Sequence, residues 1–330
     1  MTMLGIFIGA TLLGWALCFP VQSWLKKKDV WDRPNERSSH GNPTLRGGGL
    51  ASLVLMFSVI VFCVCPEYIR FGCAWLGGLV ILTWVSLIDD RQEAPIVLRL
   101  VTHCVAATLI LWALPNGEFY WWHLLIMGFV LVAYINFVNF TDGINGLVAG
   151  LMVLIPLGMV LAFAEINWMQ RVIALTLAGS AAGFIPFNFP RAKMFLGDSG
   201  SITLGFSSGV LILWVGTGMS SGSSWLLLLL LPLYFFLEGS AAILRRMVLG
   251  QEWWKPHREH FYQKLIRFGW SHSRTTVIIL CIQCFTTLLI WKGVEVGWSE
   301  ALLWVLCMLV WGVFFAYVEV LFRAESKTEI

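Results

Sequence analysis

Eleven apolar stretches, each close to the 17–25 residues or so that an α-helix needs to cross a bilayer, dominate this chain. They run over 4–24, 50–65, 71–88, 97–114, 119–138, 147–164, 172–189, 202–217, 225–244, 275–291 and 301–322. Hydrocarbon offers backbone N–H and C=O groups no water, so segments of this kind close their hydrogen bonds internally, as helices. Charged residues fill only 12% of the 330 positions, where a soluble domain holds about a quarter. No polar stretch between the runs is long enough to fold alone. The expectation is an all-α polytopic membrane protein of about eleven transmembrane helices, a single domain over 1–330 with no β-sheet of consequence. No basic segment precedes the first run and no small-residue cleavage site follows it, so it reads as a retained helix.

Positive charge sets the orientation. With eleven alternating spans, every one of the 22 Lys and Arg residues except Arg70, Arg171 and Lys292 falls on the same side. Cationic loops stay cytoplasmic, which predicts a periplasmic N-terminus, a cytoplasmic C-terminus and a cleft on the cytoplasmic face. Trp75, Trp121, Trp122, Trp168 and Trp298 lie near the outer ends, as ordinary interfacial anchors. The Cys residues sit mostly in apolar runs and read as small hydrophobes. Cys281 and Cys284 have CxxC spacing but no second pair.

Four polar islands then share the cytoplasmic side: Asp89-Asp90, residues 136–147, Gly197-Asp198-Ser199-Gly200 and His257-Arg258-Glu259-His260. The second places Asn136, Asn139, Asp142, Gly143, Asn145 and Gly146 directly between two apolar runs, a cluster lipid does not tolerate. Adjacent carboxylates such as Asp89 and Asp90 repel, and a nearby cation resolves the conflict; a solvated helix end beside Arg91 and Arg99 is the plainer reading. Asp198 between glycines either caps a helix or approaches a ligand closely. Singly, each island is ambiguous. Jointly they put Asp89, Asp90, Asp142 and Asp198 at the ends of four spans, an oxygen-rich set that suits Mg²⁺ completed by phosphates and water. The island at 257–260 reads as a grip on diphosphate, against a headgroup-binding basic loop or half a zinc site that lacks its other ligands.

Taken in order, Pro43-Thr44-Leu45-Arg46-Gly47-Gly48-Gly49, Asp89-Asp90, residues 136–147, 195–201 and 257–260 resemble the polyprenyl-phosphate N-acetylhexosamine-1-phosphate transferase superfamily (the MraY/WecA type). The resemblance implies an enzyme of a bacterial inner membrane whose site faces the cytoplasm. It would transfer N-acetylhexosamine 1-phosphate from a UDP-N-acetylhexosamine to undecaprenyl phosphate, with Mg²⁺, or Mn²⁺ in its place. It further implies Asp198 as principal metal ligand with Asp142 and Asp90 in support, and Asp89 beside the lipid phosphate. Asn136, Asn139, Asp142 and Asn145 would line the nucleotide pocket. Arg46, His257, Arg258 and His260 would hold substrate. Direct attack by the lipid phosphate is the favoured route, with a covalent intermediate on Asp89 or Asp90 as its competitor.

Departures from the pattern narrow the branch. Members that transfer muramoyl-pentapeptide carry Lys three residues after the Asp pair, where this chain has Glu93, and Asn145 stands where Asp is common. Arg46 and the lead-in Glu36-Arg37-Ser38-Ser39-His40 look more like the transferases that initiate O-antigen and related surface glycans. Phospho-N-acetylmuramoyl-pentapeptide transfer is the alternative. A transporter is disfavoured because, Glu238 and Glu319 apart, the spans are nearly charge-free except at their ends. Membrane lipids are the implied surroundings, a homodimer is compatible with the reading, and no nucleic-acid partner is expected.

Overall fold

The computed structural model describes residues 2–34, 41–63, 66–92, 94–115, 119–219, 225–252, 254 and 259–328; the side chains of 91 and 324–328 also stand outside the description. Helices dominate: α1 (Met3–Lys27), α2 (Leu50–Cys63), α3 (Ile69–Gln92), α4 (Ile96–Ala113), α5 (Trp121–Thr141), α6 (Leu147–Ala162), α7 (Trp168–Asn188), α8 (Asp198–Thr217), α9 (Leu233–Val248), α10 (Phe261–Arg267), α11 (His272–Val296) and α12 (Glu300–Thr328). Among the described residues three short strands accompany them: β1 (Trp31–Asp32), β2 (Thr44–Arg46) and β3 (Met194–Phe195).

Each apolar run falls on helix, and the protein is an all-α polytopic membrane protein. Among the described residues eight helices are long and apolar enough to cross a membrane. The other three runs differ from expectation for local reasons. α2 and α6 have only 14 and 16 residues, because the chain before each is spent on strand or on turn. The run at 225–244 is divided into a 3-10 segment, Trp225–Leu230, and α9. Pro232 stands at the junction and has no N–H with which to continue a helical ladder.

The expectation of no consequential sheet needs correction. β1 pairs antiparallel with β2, and β2 pairs parallel with β3, joining Leu45 to Met194 and Arg46 to Phe195. The sheet is small, yet it brings the first polar loop against the entry to α8. Helix α8 is the axis of the bundle: its span is 89% buried, against 22% for α1 and 28% for α12. A helix apolar on every side belongs in the middle of a bundle, and α8 packs on α2, α3, α5 and α7. Around it α1 lies along α7, where a Cβ on Gly183 would come within 2.5 Å of the Thr11 carbonyl. Small residues allow that approach where lipid supplies no hydrophobic drive between helices.

Two of the three cations expected on the far face are consumed by helix ends. Arg70 lies 3.6 Å over the Trp112 ring and donates to the Trp112 carbonyl near the end of α4. Arg171 donates to the carbonyls of Ile166 at 2.8 Å and Ala164 at 2.9 Å in the turn after α6 and to that of Val160 in its last turn at 3.4 Å, tying the end of α6 to the start of α7. Arg171→Ala is therefore expected to cost about 1–2 kcal/mol and lower the thermal midpoint in detergent by about 2–4 °C. An unchanged midpoint would mean that water caps α6 equally well.

Candidate active site

Three of the four polar islands meet at one end of the bundle, and backbone geometry brings them there. The parallel pairing of β2 with β3 continues into two further bonds, Gly48 N–H to the Phe195 carbonyl at 2.8 Å and Gly49 N–H to the Leu196 carbonyl at 3.0 Å. Gly49 then lies directly on Gly200, so close that a Cβ there would sit 2.0 Å from the Gly200 Cα. Gly197 has φ +76°, and a side chain on it would strike Gly47 and Asp90. These glycines seat the start of α2 on the start of α8.

Onto this backbone converge four carboxylates and two guanidinium groups. Asp90, at the end of α3, caps α8 from outside the helix. Its Oδ1 accepts from Asp198 N–H at 2.9 Å and its Oδ2 from Ser199 N–H at 3.2 Å. Arg46 Nε lies 2.7 Å from Asp90 Oδ1, while Arg46 Nη2 donates to Asp198 Oδ1 at 2.7 Å. Arg99, from the first turn of α4, donates to Asp89 Oδ2 at 2.7 Å and stands 3.5 Å from Asp198 Oδ2. Asp89 Oδ1 accepts from Ala94 N–H at 2.5 Å. The Asp90 side chain is 1% exposed and that of Asp198 12%, so Asp90 is the more enclosed of the two. Burial works to strip the Arg46 proton, but Asp198, Asp90 and Asp32 outweigh it and hold the guanidinium more firmly charged than usual.

Asp142 follows the last turn of α5 and is half-buried. No described side chain donates to its carboxyl group. Burial, and then the charges of Asp198 and Asp90, push its pKa well above the ordinary carboxylate range, with Arg46 opposing. Asn139 reaches the same cluster by donating to Ser201 Oγ at 3.0 Å, which in turn donates to the Gly197 carbonyl at 3.2 Å.

The other expected residues stand further out. Asn136 lies one turn deeper, donating to the Val132 carbonyl at 2.7 Å and lying 3.1 Å from His103 Nδ1. Asn145 donates to the Pro190 carbonyl at 3.2 Å, and its own carbonyl accepts from Thr276; it ties the α5–α6 turn to its neighbours. His260 is 5% exposed and faces Glu238 of α9. His257 and Arg258 lie outside the described residues.

Sequence reasoning missed three contributors. Arg99 carried a signal, a cation in the first turn of an apolar run ten residues after Asp89, but was counted only toward orientation and as a neighbour of the Asp pair. Ser201 and Tyr262 had none, since nothing local marks a hydroxyl that bonds another helix.

The donor set is compatible with a hard divalent cation. All of its members are oxygens, and burial followed by the charges of Asp198 and Asp90 pushes the Asp142 pKa up, a conflict that a cation would relieve. Among the described residues no three His, Cys, Asp or Glu groups stand ready to hold an ion alone. An ion here would draw one or two carboxylates from protein and the rest of its shell from phosphate and water, the ordinary habit of Mg²⁺.

Comparison with known proteins follows the same outline. The glycosyl transferase family 4 model matches residues 73–216, a range that holds all four carboxylates but neither Arg46 nor His260. A decaprenyl-phosphate N-acetylglucosaminephosphotransferase of Mycobacterium leprae is 27% identical, over 74% of this chain and 72% of that protein. The undecaprenyl-phosphate alpha-N-acetylglucosaminyl 1-phosphate transferase of Escherichia coli is 24% identical, over 96% of this chain and 89% of its own length. A phospho-N-acetylmuramoyl-pentapeptide-transferase of Microcystis aeruginosa is 31% identical over 62% of this chain and 60% of that protein.

Proposed function

Because this chain belongs to glycosyl transferase family 4 and is a phosphosugar transferase, we propose that it transfers N-acetylhexosamine 1-phosphate from a UDP-sugar to undecaprenyl phosphate and releases UMP. The observation that carries the reading is the convergence of Asp89, Asp90, Asp142 and Asp198 with Arg46 and Arg99 at one end of a lipid-embedded bundle. Such a place lets a water-soluble donor meet a lipid phosphate at the membrane surface.

Phosphoryl transfer asks the protein for position and charge more than for covalent help. Asp198 and Asp142 would hold Mg²⁺, which when bound supplies neutralisation of the diphosphate. Asp90 is committed to the α8 cap and to Arg46, so its part is to hold Asp198 in place. Arg99 bridges Asp89 and Asp198 and can turn a donor toward a phosphate oxygen without leaving its turn of helix. Asp89 stands beside Arg99, where the lipid phosphate would arrive. That phosphate is already largely ionised near neutral pH, so an oxygen of its own attacks the sugar-bearing phosphorus and UMP departs. Asp89 then steers rather than bonds.

The partition of Lys and Arg supports a site facing the cytoplasm of a bacterial inner membrane. Glu93, Arg46 and the lead-in to the Gly triplet support the branch that initiates O-antigen or related surface glycans. The Microcystis relative favours a second reading, transfer of a muramoyl-pentapeptide.

Both readings are tested by one assay: purified protein in detergent, undecaprenyl phosphate, Mg²⁺ and a panel of UDP-N-acetylhexosamines including the muramoyl-pentapeptide donor, with released UMP as readout. UMP release that needs lipid and ends on chelation is the expected result, and the preferred donor decides the branch. Lipid-independent release, or none with any donor from monodisperse protein, would overturn the proposal.

A further inference from the structure

We propose that Glu238 is a positioning residue for His260 and through it for the donor diphosphate, an inference that rests on the transferase reading above. Glu238 lies in α9 and is 0% exposed. Its Oε1 accepts from the Phe261 N–H at 2.8 Å and lies 3.3 Å from His260 Nδ1. Its Oε2 is buried and receives no hydrogen bond among the described residues. A carboxylate so enclosed is costly to keep charged unless a cation compensates it.

The nearby cations are already engaged elsewhere. Lys264, itself 2% exposed, donates to Glu319 at 2.6 Å, Arg245 joins the same Glu319 at 3.1 Å, and Arg246 pairs with Glu259 at 3.2 Å. Tyr234 and Tyr262 are the other titratable groups close by, and burial followed by the charges of Glu238 and Asp142 pushes the Tyr262 hydroxyl pKa up. The His260 imidazole is the described side chain that the structure sets against the Glu238 carboxylate.

His260 in turn packs beside the turn between α5 and α6. Its ring centroid stands 5.7 Å from Tyr262, stacked, and 6.0 Å from Phe140. The Tyr262 hydroxyl donates to the Phe140 carbonyl at 2.8 Å and fills the space over Gly143, where a Cβ would fall 2.2 Å from its oxygen. Gly143 adjoins Asp142. Glu238 therefore fixes the imidazole and the start of α10 against the turn that carries Asp142. The imidazole is thus set beside the turn that carries Asp142, one of the residues proposed to hold Mg²⁺ against the donor diphosphate.

The test compares UDP with UMP binding to purified full-length protein by titration calorimetry, which needs no turnover. Glu238→Gln keeps size and an acceptor for Phe261 but removes the charge; Glu238→Asp keeps the charge on a shorter arm. Glu238→Gln is expected to weaken UDP about tenfold, or ~1.4 kcal/mol, and UMP by less than about twofold. Glu238→Asp should recover part of that loss, and Glu238→Gln should add nothing in a His260→Gln background. A purely structural role would weaken both nucleotides together, or multiply with His260→Gln, and either outcome overturns the inference. Should Glu238→Gln not purify intact, Glu238→Asp beside His260→Gln decides by the same UDP-to-UMP ratio. Wild-type protein that binds neither nucleotide would overturn the transferase reading as well. Wild-type binding with unshifted variants would overturn this inference alone.

Discussion

Asp198→Asn is expected to lower UMP release by at least ~10³-fold, because the substitution removes a full charge from the point where the developing charge on phosphorus must be balanced. The fold should survive it. The new side chain keeps an oxygen that can accept from Arg46, now at 2.7 Å, and the cap of α8 is made by the Asp198 backbone N–H, which the substitution leaves in place. The thermal midpoint without Mg²⁺ should thus stay within a few degrees of wild type, while the rise with Mg²⁺ that is expected of the wild-type protein should be absent. Asp90→Asn is the contrasting case. It removes the carboxylate that caps two N–H groups and pairs with Arg46, so its loss of activity should come with a loss of stability. Turnover by Asp198→Asn within about tenfold of wild type would show that the cation is held elsewhere, with Asp142 the next candidate.

The membrane architecture was legible because burial in lipid writes itself into long uninterrupted runs, and over the described residues ten of the eleven coincide with one α-helix each. What the runs do not carry is where the backbone must stop being helical. The α5–α6 turn consumes residues up to Gly146, which adopts φ +78°, and the split at Pro232 divides a run that hydropathy alone draws as continuous. Legibility of the site followed the same division. Asp89, Asp90, Asp142 and Asp198 announce themselves as charge where hydrocarbon forbids it. Their division of labour is set by distant partners: Asp90 is spent on a cap more than a hundred residues away in sequence, whereas Asp142 has no described donor. The Gly triplet read as close approach to an unspecified partner, and only the parallel pairing of β2 with β3 shows that partner to be the start of α8. His260 read as a direct grip on phosphate, and its burial against Glu238 adds a shell that no spacing foretold.

Arg46→Ala is the second large effect. One guanidinium joins Asp90 through Nε and Asp198 through Nη2, each at 2.7 Å, and its removal leaves Asp90, 1% exposed, with two backbone N–H groups as its remaining partners. Deleting one member of a buried ion pair costs about 3–5 kcal/mol, since the survivor stays charged and dry. A fall in thermal midpoint on the order of 10 °C is expected, with little turnover remaining. Arg46→Lys should restore only part of it. An ammonium is a single point of charge and cannot span two carboxylates in the plane that a guanidinium fits. The divalent ion gives the decisive measurement. If Arg46 serves as the resting counter-ion of this cluster, its loss makes the four carboxylates a stronger trap for a cation, and Mg²⁺ should raise the midpoint of Arg46→Ala by more degrees than it raises that of wild type. Turnover should not return with it, because the ion would then stand in for the guanidinium and leave Asp198 without the partner that aims it. An Arg46→Ala protein as stable as wild type would mean that these ion pairs do not hold the fold, and one that responds to Mg²⁺ no more than wild type would mean that Arg46 is not the resting counter-ion of the cluster.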